Sequence, residues 1–217
     1  ISNNSIANKE GAELSKVYMV GNVLIDNIRF LQQRMQRPAV MDEEHLEEGK
    51  YMLLTLNRKA IVNNIEEMKK LISTIDGVAR KAGIKVLAPL RGKALGFVLA
   101  FKAYQDVADH QSGIMVVHPQ GYLDFSYLAA HAMGVITDSG NVAEEATFNG
   151  VPCITLNSYT EHLETVTVGT NELVAEDPEK LQQAMEKIVK GEWKKAGIPD
   201  RWDGRSAERI VQIICGE

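Results

Sequence analysis

Short apolar runs alternate along the chain with longer segments whose apolar residues recur every three or four positions. The apolar runs predict strands over residues 16–21, 50–56, 84–90, 113–119, 133–139 and 151–157. The periodic segments predict helices over residues 23–35, 63–82, 93–104, 122–131, 142–148, 177–193 and 205–214. The helix over 177–193 has the clearest start, because Asp177 suits the N-cap and Pro178 the first helical position.

This alternation predicts an α/β fold with a doubly wound, Rossmann-like parallel sheet, because parallel neighbours are joined by right-handed helical crossovers. Ligands of such sheets bind outside the carboxyl ends of the strands, so binding residues are expected in the turns that follow the strands. Residues 16–217 are predicted to form this domain. Residues 1–15 are polar and weakly patterned, and are expected to be a remnant of an upstream segment.

Composition removes several classes of function. The 217 residues include 24 Lys and Arg against 29 Asp and Glu, a net charge of −5 without the basic stripe of a nucleic-acid surface. No apolar stretch approaches the roughly 18 residues of a membrane span, and no signal peptide is apparent, so a cytoplasmic protein without a membrane partner is expected. Cys153 is expected to be a buried free thiol, and neither a metal nor an organic cofactor is predicted.

The turn after the strand over 133–139 allows two interpretations. Asn141 and Glu144 have the spacing of a capping box, which would make the turn purely structural. The free amides of a helix N-terminus also form an anion site, where Ser139 could donate its hydroxyl to a phosphate oxygen. Glu145, nearly one turn further along, could accept hydrogen bonds from a pair of sugar hydroxyls. Spacing alone leaves both interpretations open.

Cationic side chains follow two other predicted strands. Arg58 lies just after the strand over 50–56 and could clamp a phosphate or carboxylate, since guanidinium binds such groups through two hydrogen bonds. Arg91 and Lys93 lie after the strand over 84–90 in the same kind of position. A solvated surface cation is the alternative at each of these positions.

Two further candidates are a histidine and an aromatic residue. Ser158 and Glu161 match a second capping box, which would place His162 on an exposed helix near the same sheet edge. His162 could there touch a phosphate. Phe125, in an aromatic row that is typical of a core, could instead offer its ring to a nucleobase. These residues indicate an anion-binding or nucleotide-binding α/β domain and assign no reaction.

The segment "TDSGNVAEEATFNGVPCITLNSYTEHLETVTVGTNELV" resembles the C-terminal signature of the non-hydrolysing UDP-N-acetylglucosamine 2-epimerases. That signature reads T-D-S-G-G-x-Q-E-E, then G-x-P, T-E-R-P-E and G-T-N-x-L-V. "VYMVGNVLID" and "HPQGYLDFSYL" also resemble the family. The resemblance implies one half of a GT-B fold, with UDP or a UDP-N-acetylhexosamine as ligand. It further implies the N-terminal half of the same enzyme as partner, and a possible homodimer.

By this resemblance, the diphosphate binds Ser139 and the amides that follow it at Gly140 and Asn141. Glu145 binds the ribose hydroxyls and Phe125, with its neighbours, the uracil. The family reaction eliminates UDP and adds it back, which inverts C2 of the sugar.

Several residues depart from the family pattern. In the T-x-H-R-x-E motif Arg58 matches, but Asn57 stands at the histidine and Ala60 at the glutamate. An amide cannot move a proton near neutral pH, so no catalytic residue is assigned. His162 replaces the arginine of T-E-R-P-E, and Arg91 stands where the family often has histidine.

Three functions follow from these observations. The leading hypothesis is the UDP-binding half of a UDP-N-acetylglucosamine 2-epimerase, inactive as this isolated chain. The alternative is a non-catalytic nucleotide-sugar-binding or regulatory module, for which Asn57 and Ala60 are the motivation. A GT-B glycosyltransferase is disfavoured because "GTNELV" and "TEHLET" resemble the epimerase pattern more closely.

Overall fold

The computed structural model describes residues 9–107 and 111–216. The strands are β1 (Tyr51–Leu54), β2 (Lys85–Ala88), β3 (Ile114–Val116), β4 (Gly134–Thr137), β5 (Cys153–Thr155) and β6 (Asn171–Leu173). The longer helices are α1 (Val23–Gln32), α4 (Ile65–Ala82), α5 (Gly92–Val107), α6 (Tyr122–Ala130), α7 (Gly140–Phe148), α9 (Pro178–Val189) and α10 (Ser206–Cys215). The shorter helices are α2 (Ala39–Glu43), α3 (Lys59–Val62) and α8 (Leu163–Thr167).

The strands form one parallel sheet in the order β3-β2-β1-β4-β5-β6. The chain moves outward from β1 to β3 and then returns to place β4 on the other side of β1. This is the strand order of the doubly wound Rossmann fold, whose ligands bind where the order reverses, here between β1 and β4. The predicted fold class is confirmed.

Helices cover both faces of the sheet, so successive residues of a central strand enter opposite cores. In β1, Met52 and Leu54 pack on the face of α4, α5 and α9. Tyr51 and Leu53 pack on the face of α2, α6 and α7. Cys153 is a fully buried free thiol in the second of these cores, as its apolar surroundings predict.

Helix ends follow local chemistry where the signals are strong. Asp177 accepts hydrogen bonds from the amides of Glu179 and Lys180, and Pro178 opens α9 as predicted. The predicted helix over 63–82 begins at Ile65. The helix predicted over 205–214 begins one residue later, at Ser206.

The strand predicted over residues 16–21 is wrong. The structure has a 3₁₀ turn at Leu14–Lys16 and no regular element over residues 17–22. The carbonyls of Met19 and Val20 accept hydrogen bonds from the guanidinium groups of Arg201 and Arg209 instead of from a neighbouring strand. An apolar run becomes a strand only where a partner strand completes its backbone hydrogen bonds.

The described residues divide into two compact units, residues 34–197 and residues 9–33 with 198–216. The larger unit contains the whole sheet. In the smaller unit, Asp26 of α1 accepts hydrogen bonds from the amides of Ser206 and Ala207 at the start of α10. A domain boundary at residue 15 stays a prediction.

The length and the apolar character of the helices bear on membrane association. Among the residues that the structure describes, no helix combines the length and the apolar character needed to cross a bilayer.

Candidate functional site

A pocket of about 560 Å³ lies at the carboxyl ends of the strands, over the position where the strand order reverses. The predicted site residues that line it are Asn57, Arg58, Arg91, Ser139, Gly140, Asn141 and His162. Glu145 and Phe125, the other predicted site residues, are not among its lining residues.

The turn after β4 carries the phosphate-type geometry. Ser139 is the N-cap of α7 in an extended conformation, and its side chain makes no capping hydrogen bond. The capping box predicted for Asn141 is wrong, because Asn141 lies inside the first turn of the helix rather than before it. The Ser139 hydroxyl and the first amides of this nine-residue helix therefore belong to the same pocket wall, where a helix N-terminus favours an anion.

Asp138 joins three loops at this wall. Its carboxylate accepts hydrogen bonds from the backbone amides of Asn57 and Arg58, each at 2.6 Å. Its backbone carbonyl accepts a hydrogen bond of 3.1 Å from the Asn157 side chain. The ends of β1, β4 and β5 are thereby tied together. Sequence reasoning missed this role, although Asp138 directly precedes Ser139 in the recognised motif.

Two guanidinium groups reach the pocket from neighbouring strand ends. Arg58 donates a 2.7 Å hydrogen bond to the Asn157 side chain and lies 5.3 Å from the Tyr159 ring centre. Arg91 donates a 3.4 Å hydrogen bond to the Asn57 side chain. Within residues 9–107 and 111–216, neither guanidinium forms an ion pair with a carboxylate. Both can therefore neutralise an anionic ligand.

His162 lines the pocket as the N-cap of the short helix α8. The second predicted capping box is wrong, since no helix begins at Ser158. The Nδ1 atom of His162 lies 3.0 Å from a carboxylate oxygen of Glu144, whose side chain is 6% exposed. The Cδ2 and Nε2 atoms of the ring lie 3.0 and 3.2 Å from the position that a Cβ would take at Gly140. The imidazole thus packs directly over the start of α7.

Glu145 is buried in α7, and its contact with Ser126 connects it to α6, the helix that also carries Phe125. Its carboxylate lies 3.4 Å from the Ser126 hydroxyl. Burial raises the pKa of Glu145 to about 7; the Ser126 hydrogen bond opposes this rise and the nearby Glu144 carboxylate adds to it. Phe125 is half-buried against the second core. The ribose and uracil contacts of these two residues stay predictions.

The loop after β1 holds no group suited to proton transfer. Asn57 lines the pocket with a neutral amide, and Ala60 is an exposed residue of α3. Neither side chain titrates near neutral pH. Lys93 does not line this pocket; it lies in an adjacent cavity of about 470 Å³, where it donates a 2.7 Å hydrogen bond to the Asn63 side chain.

The chain is similar in sequence to known proteins of one family. The family model described as UDP-N-acetylglucosamine 2-epimerase matches residues 3–215. The UDP-N-acetylglucosamine 2-epimerase of Methanococcus maripaludis is 31% identical in an alignment 218 positions long, which covers 96% of this chain and 57% of that protein. The Methanocaldococcus jannaschii protein of the same name is 32% identical over 212 residues, covering 95% and 56%. The chain thus spans little more than half the length of these curated relatives.

Solved structures agree with this relationship. The Methanocaldococcus jannaschii UDP-GlcNAc 2-epimerase in complex with UDP-GlcNAc and UDP superposes with a TM-score of 0.78 at 31% identity, covering 97% of this chain and 57% of that one. The Neisseria meningitidis enzyme bound to UDP-GlcNAc has a TM-score of 0.79 at 22% identity, covering 99% and 59%, which shows the shared fold alone. The predicted likeness to one half of a GT-B enzyme is confirmed.

Proposed function

The chain belongs to the UDP-N-acetylglucosamine 2-epimerase family, and from this premise we propose that it is the UDP-binding half of an enzyme that interconverts UDP-N-acetylglucosamine and UDP-N-acetylmannosamine. The observation that carries the proposal is the pocket at the switch point of the sheet. It combines a helix N-terminus with two guanidinium groups that pair with no carboxylate in the part of the chain that the structure describes. A nucleoside diphosphate satisfies this combination of donors.

The ligand is assigned to the pocket in two parts. The diphosphate lies against Ser139 and the amides of Gly140 and Asn141, beside the Arg58 guanidinium and the His162 imidazole. Support comes from the first turn of α7, whose donors line the same pocket as the side chains of Arg58 and His162.

The nucleoside is assigned to the α6 side of α7, with Glu145 at the ribose and Phe125 at the uracil. Support comes from the position of Ser126, next to Phe125 in the chain, whose hydroxyl lies 3.4 Å from the Glu145 carboxylate.

The C2 proton transfer is assigned outside this chain. Asn57 and Ala60 supply no acid or base, so we propose that the isolated chain is inactive and that an N-terminal half of the same enzyme provides the groups that move the proton. The relatives are long enough for this, since the chain covers 57% of the Methanococcus maripaludis protein. A homodimer and a cytoplasmic location also stay predictions.

A non-catalytic nucleotide-sugar-binding or regulatory module is the second candidate. The specific observation in its favour is that the pocket carries an amide, Asn57, where the family motif has its histidine.

Calorimetric titration with UDP and with UDP-N-acetylglucosamine tests the binding site. We expect a dissociation constant in roughly the micromolar-to-millimolar range, because half of a cleft provides half of the contacts. Ser139→Ala should weaken UDP binding about tenfold to a hundredfold, the value of one hydrogen bond to a charged group. Ser158→Ala is the matched control, since Ser158 is exposed and outside the pocket lining. If the two variants bound UDP with equal affinity, the assignment of the diphosphate to Ser139 would be wrong.

Isotope exchange in the full-length protein separates the two candidate functions. An enzyme incubated with UDP-N-acetylglucosamine in D₂O should place deuterium at C2 of the sugar, and the NMR signal of that proton should disappear. A binding module should leave C2 protonated while it still binds UDP. The variant Asn57→His should raise the exchange rate if the loop after β1 takes part in proton transfer.

A further inference from the structure

Glu144 contacts His162, which is assigned above to the diphosphate, and has itself no role in that assignment. Glu144 is a residue of α7 that sequence reasoning considered only as a possible capping residue. Its side chain is 6% exposed, whereas the His162 side chain is 32% exposed and reaches the pocket. A buried carboxylate is stable in its charged form when a donor compensates for its lost hydration, and the imidazole Nδ1 lies 3.0 Å away.

We propose that Glu144 is a positioning residue that holds His162 through Nδ1, leaves Nε2 at the diphosphate site, and thereby couples nucleoside diphosphate binding to the uptake of a proton. The proposal rests on the proposed function, because it concerns the same pocket. Glu144 sets the orientation of the imidazole, and the bound ligand requires the imidazole to be protonated.

The chemistry of the two groups defines the orientation. A carboxylate only accepts hydrogen bonds, so the ring nitrogen facing Glu144 must carry its proton. In a neutral imidazole the other nitrogen, Nε2, is then an acceptor with an exposed lone pair, which a phosphate oxygen does not approach favourably. In the charged imidazole both nitrogens are donors. An anion that binds at Nε2 therefore selects the ring that has gained a proton.

The location of Nε2 supports the diphosphate contact. The ring edge that contains Nε2 lies over Gly140, 3.2 Å from the position of a Cβ there, and Gly140 is the first residue of α7. The same helix start carries Ser139 and the amides assigned to the diphosphate. Nε2 and these amides therefore lie at the same end of α7 and in the same pocket.

Buried hydrogen bonds hold the backbone of His162 as well. Its carbonyl accepts a 2.7 Å hydrogen bond from the Thr165 hydroxyl. The Thr165 hydroxyl accepts a 3.2 Å hydrogen bond from the Asn171 side chain, which in turn accepts a 2.6 Å hydrogen bond from the Thr155 hydroxyl. The start of α8 is thus connected to β5 and β6. The imidazole is fixed at its backbone by this chain and at its ring by Glu144.

Other charged groups also act on this pocket. Arg58, Arg91, Asp138 and Glu161 line it from the remaining loops. Glu145 follows Glu144 in α7, and its pKa is raised to about 7 by burial, so a ribose that selects its carboxylate form releases a proton there. The terminal phosphate of UDP titrates near pH 6, and its deprotonation on binding also releases protons. Proton uptake at His162 must therefore be measured as a difference between variants.

Calorimetry of UDP binding at pH 8, in buffers with different ionisation enthalpies, measures the number of protons exchanged. This pH is above the range in which imidazoles usually titrate. His162→Arg replaces the imidazole by a permanent cation, so it should take up about half to one proton fewer per UDP than the unmodified chain. Glu144→Gln should weaken UDP binding roughly tenfold and also lower the proton uptake, because an amide does not favour the charged ring.

A double-mutant cycle distinguishes positioning from a general role of Glu144 in folding. In the His162→Ala background, Glu144→Gln should change the affinity for UDP less than about twofold, because its effect acts through the imidazole. An equally large loss in both backgrounds would assign Glu144 to the stability of α7 and overturn the proposal. If Glu144→Gln does not fold, the proton difference between the unmodified chain and His162→Arg still decides the coupling.

Two failures remain distinguishable. If the unmodified chain binds no UDP, the proposed function is wrong and this inference falls with it. If UDP binds with the same proton number in the unmodified chain, His162→Arg and His162→Ala, the function stands and the coupling through His162 is wrong.

Discussion

The hydrogen bonds of one residue, Asp138, join the ends of β1, β4 and β5. Two backbone amides share one of its carboxylate oxygens, at 2.6 Å each. Both amides are part of the loop that carries Asn57 and Arg58 into the pocket. The side chain therefore shapes the pocket without any need to touch a ligand.

Replacement of Asp138 by Asn should destabilise the protein by about 1–3 kcal/mol. The amide that replaces the carboxylate is a weaker, uncharged acceptor, and its NH₂ group cannot accept a hydrogen bond from the loop. Urea denaturation measures the change. Asp200→Asn is the matched control, because the Asp200 side chain is 94% exposed, and it should change the stability by less than about 0.5 kcal/mol. Equal effects would contradict the role assigned to Asp138.

The pH dependence of stability should contain a contribution from Glu145. Its pKa is raised by burial to about 7, above the value of an unfolded glutamate, so the folded chain holds this proton to a higher pH than the unfolded chain. The stabilising contribution is complete below about pH 4.3 and is lost as the pH rises towards 7.

Glu145→Gln should remove this loss. Relative to the unmodified chain, the variant should gain about 2–3 kcal/mol between pH 4 and pH 8 in urea denaturation. Glu192→Gln, at an exposed position, is the control and should leave the pH profile unchanged. A Glu145→Gln profile parallel to that of the unmodified chain would show that the carboxyl is not protonated in the folded state.

At the scale of elements, α8 and β6 depend on buried polar contacts rather than on apolar periodicity. Asn171, fully buried in β6, bonds Thr155 of β5 and Thr165 of α8 through its side chain. The Lys194 ammonium donates hydrogen bonds of 2.6 Å to the carbonyls of Val166 and Asn171. These contacts position the short helix whose N-cap is His162.

Asn171→Ala should therefore affect both folding and binding. We expect a loss of about 2–4 kcal/mol, because two hydroxyls lose a buried partner and a small cavity forms. UDP binding should weaken as well, although Asn171 does not line the pocket. Urea denaturation and calorimetry measure the two effects. Asn63→Ala removes only an exposed hydrogen bond from Lys93, so it should cost about 1 kcal/mol or less and leave UDP binding unchanged.

Gly169 allows α7 and α8 to approach each other. A Cβ at this position would lie 2.4 Å from Thr147 Cγ2 and 2.7 Å from the Thr165 carbonyl. Gly169→Ala should lower the free energy of unfolding by about 1–3 kcal/mol. Gly77→Ala is a control of opposite sign, since Gly77 is inside α4 and, among the described residues, no atom beyond the local helix backbone lies within 4 Å of its Cβ position. That variant should gain about 0.5–1 kcal/mol.

At the scale of the whole molecule, the two compact units differ in the amount of apolar core that each contains. Residues 34–197 include both hydrophobic clusters and every residue that lines the candidate pocket. In the described part of the smaller unit, the buried hydrophobic residues are Ile25, Ile28 and Trp202. Buried apolar area supplies most of the free energy of folding.

Native-state hydrogen exchange should therefore separate the two units. Amides of β1, β4 and β5 should exchange through global unfolding, whereas amides of α1 and α10 should exchange through a local opening of lower free energy. Mass spectrometry of peptides from each region measures this difference. Equal protection across the chain would show that both units unfold together.

Much of the fold and part of the candidate site followed from the sequence alone. The alternation of apolar runs with periodic segments determined the α/β class, and the motif after β4 placed Ser139, Gly140 and Asn141 at a strand end. Periodicity reports which residues share a face over a few turns, so it succeeds where an element is long and local signals such as Asp177 and Pro178 are strong.

The tertiary structure decided everything that depends on a distant partner. Residues 16–21 carry the apolar pattern of a strand but pair with no strand among the residues that the structure describes, whereas the three residues of β6 are a strand because β5 pairs with them. The contact between Glu144 and His162 joins residues from two helices. The burial that raises the pKa of Glu145 comes from the packing around α7 rather than from its neighbours in the chain. Strand pairing at residues 16–21 and the desolvation of Glu145 depend on groups that are distant in the chain, so the residues around these positions do not determine them.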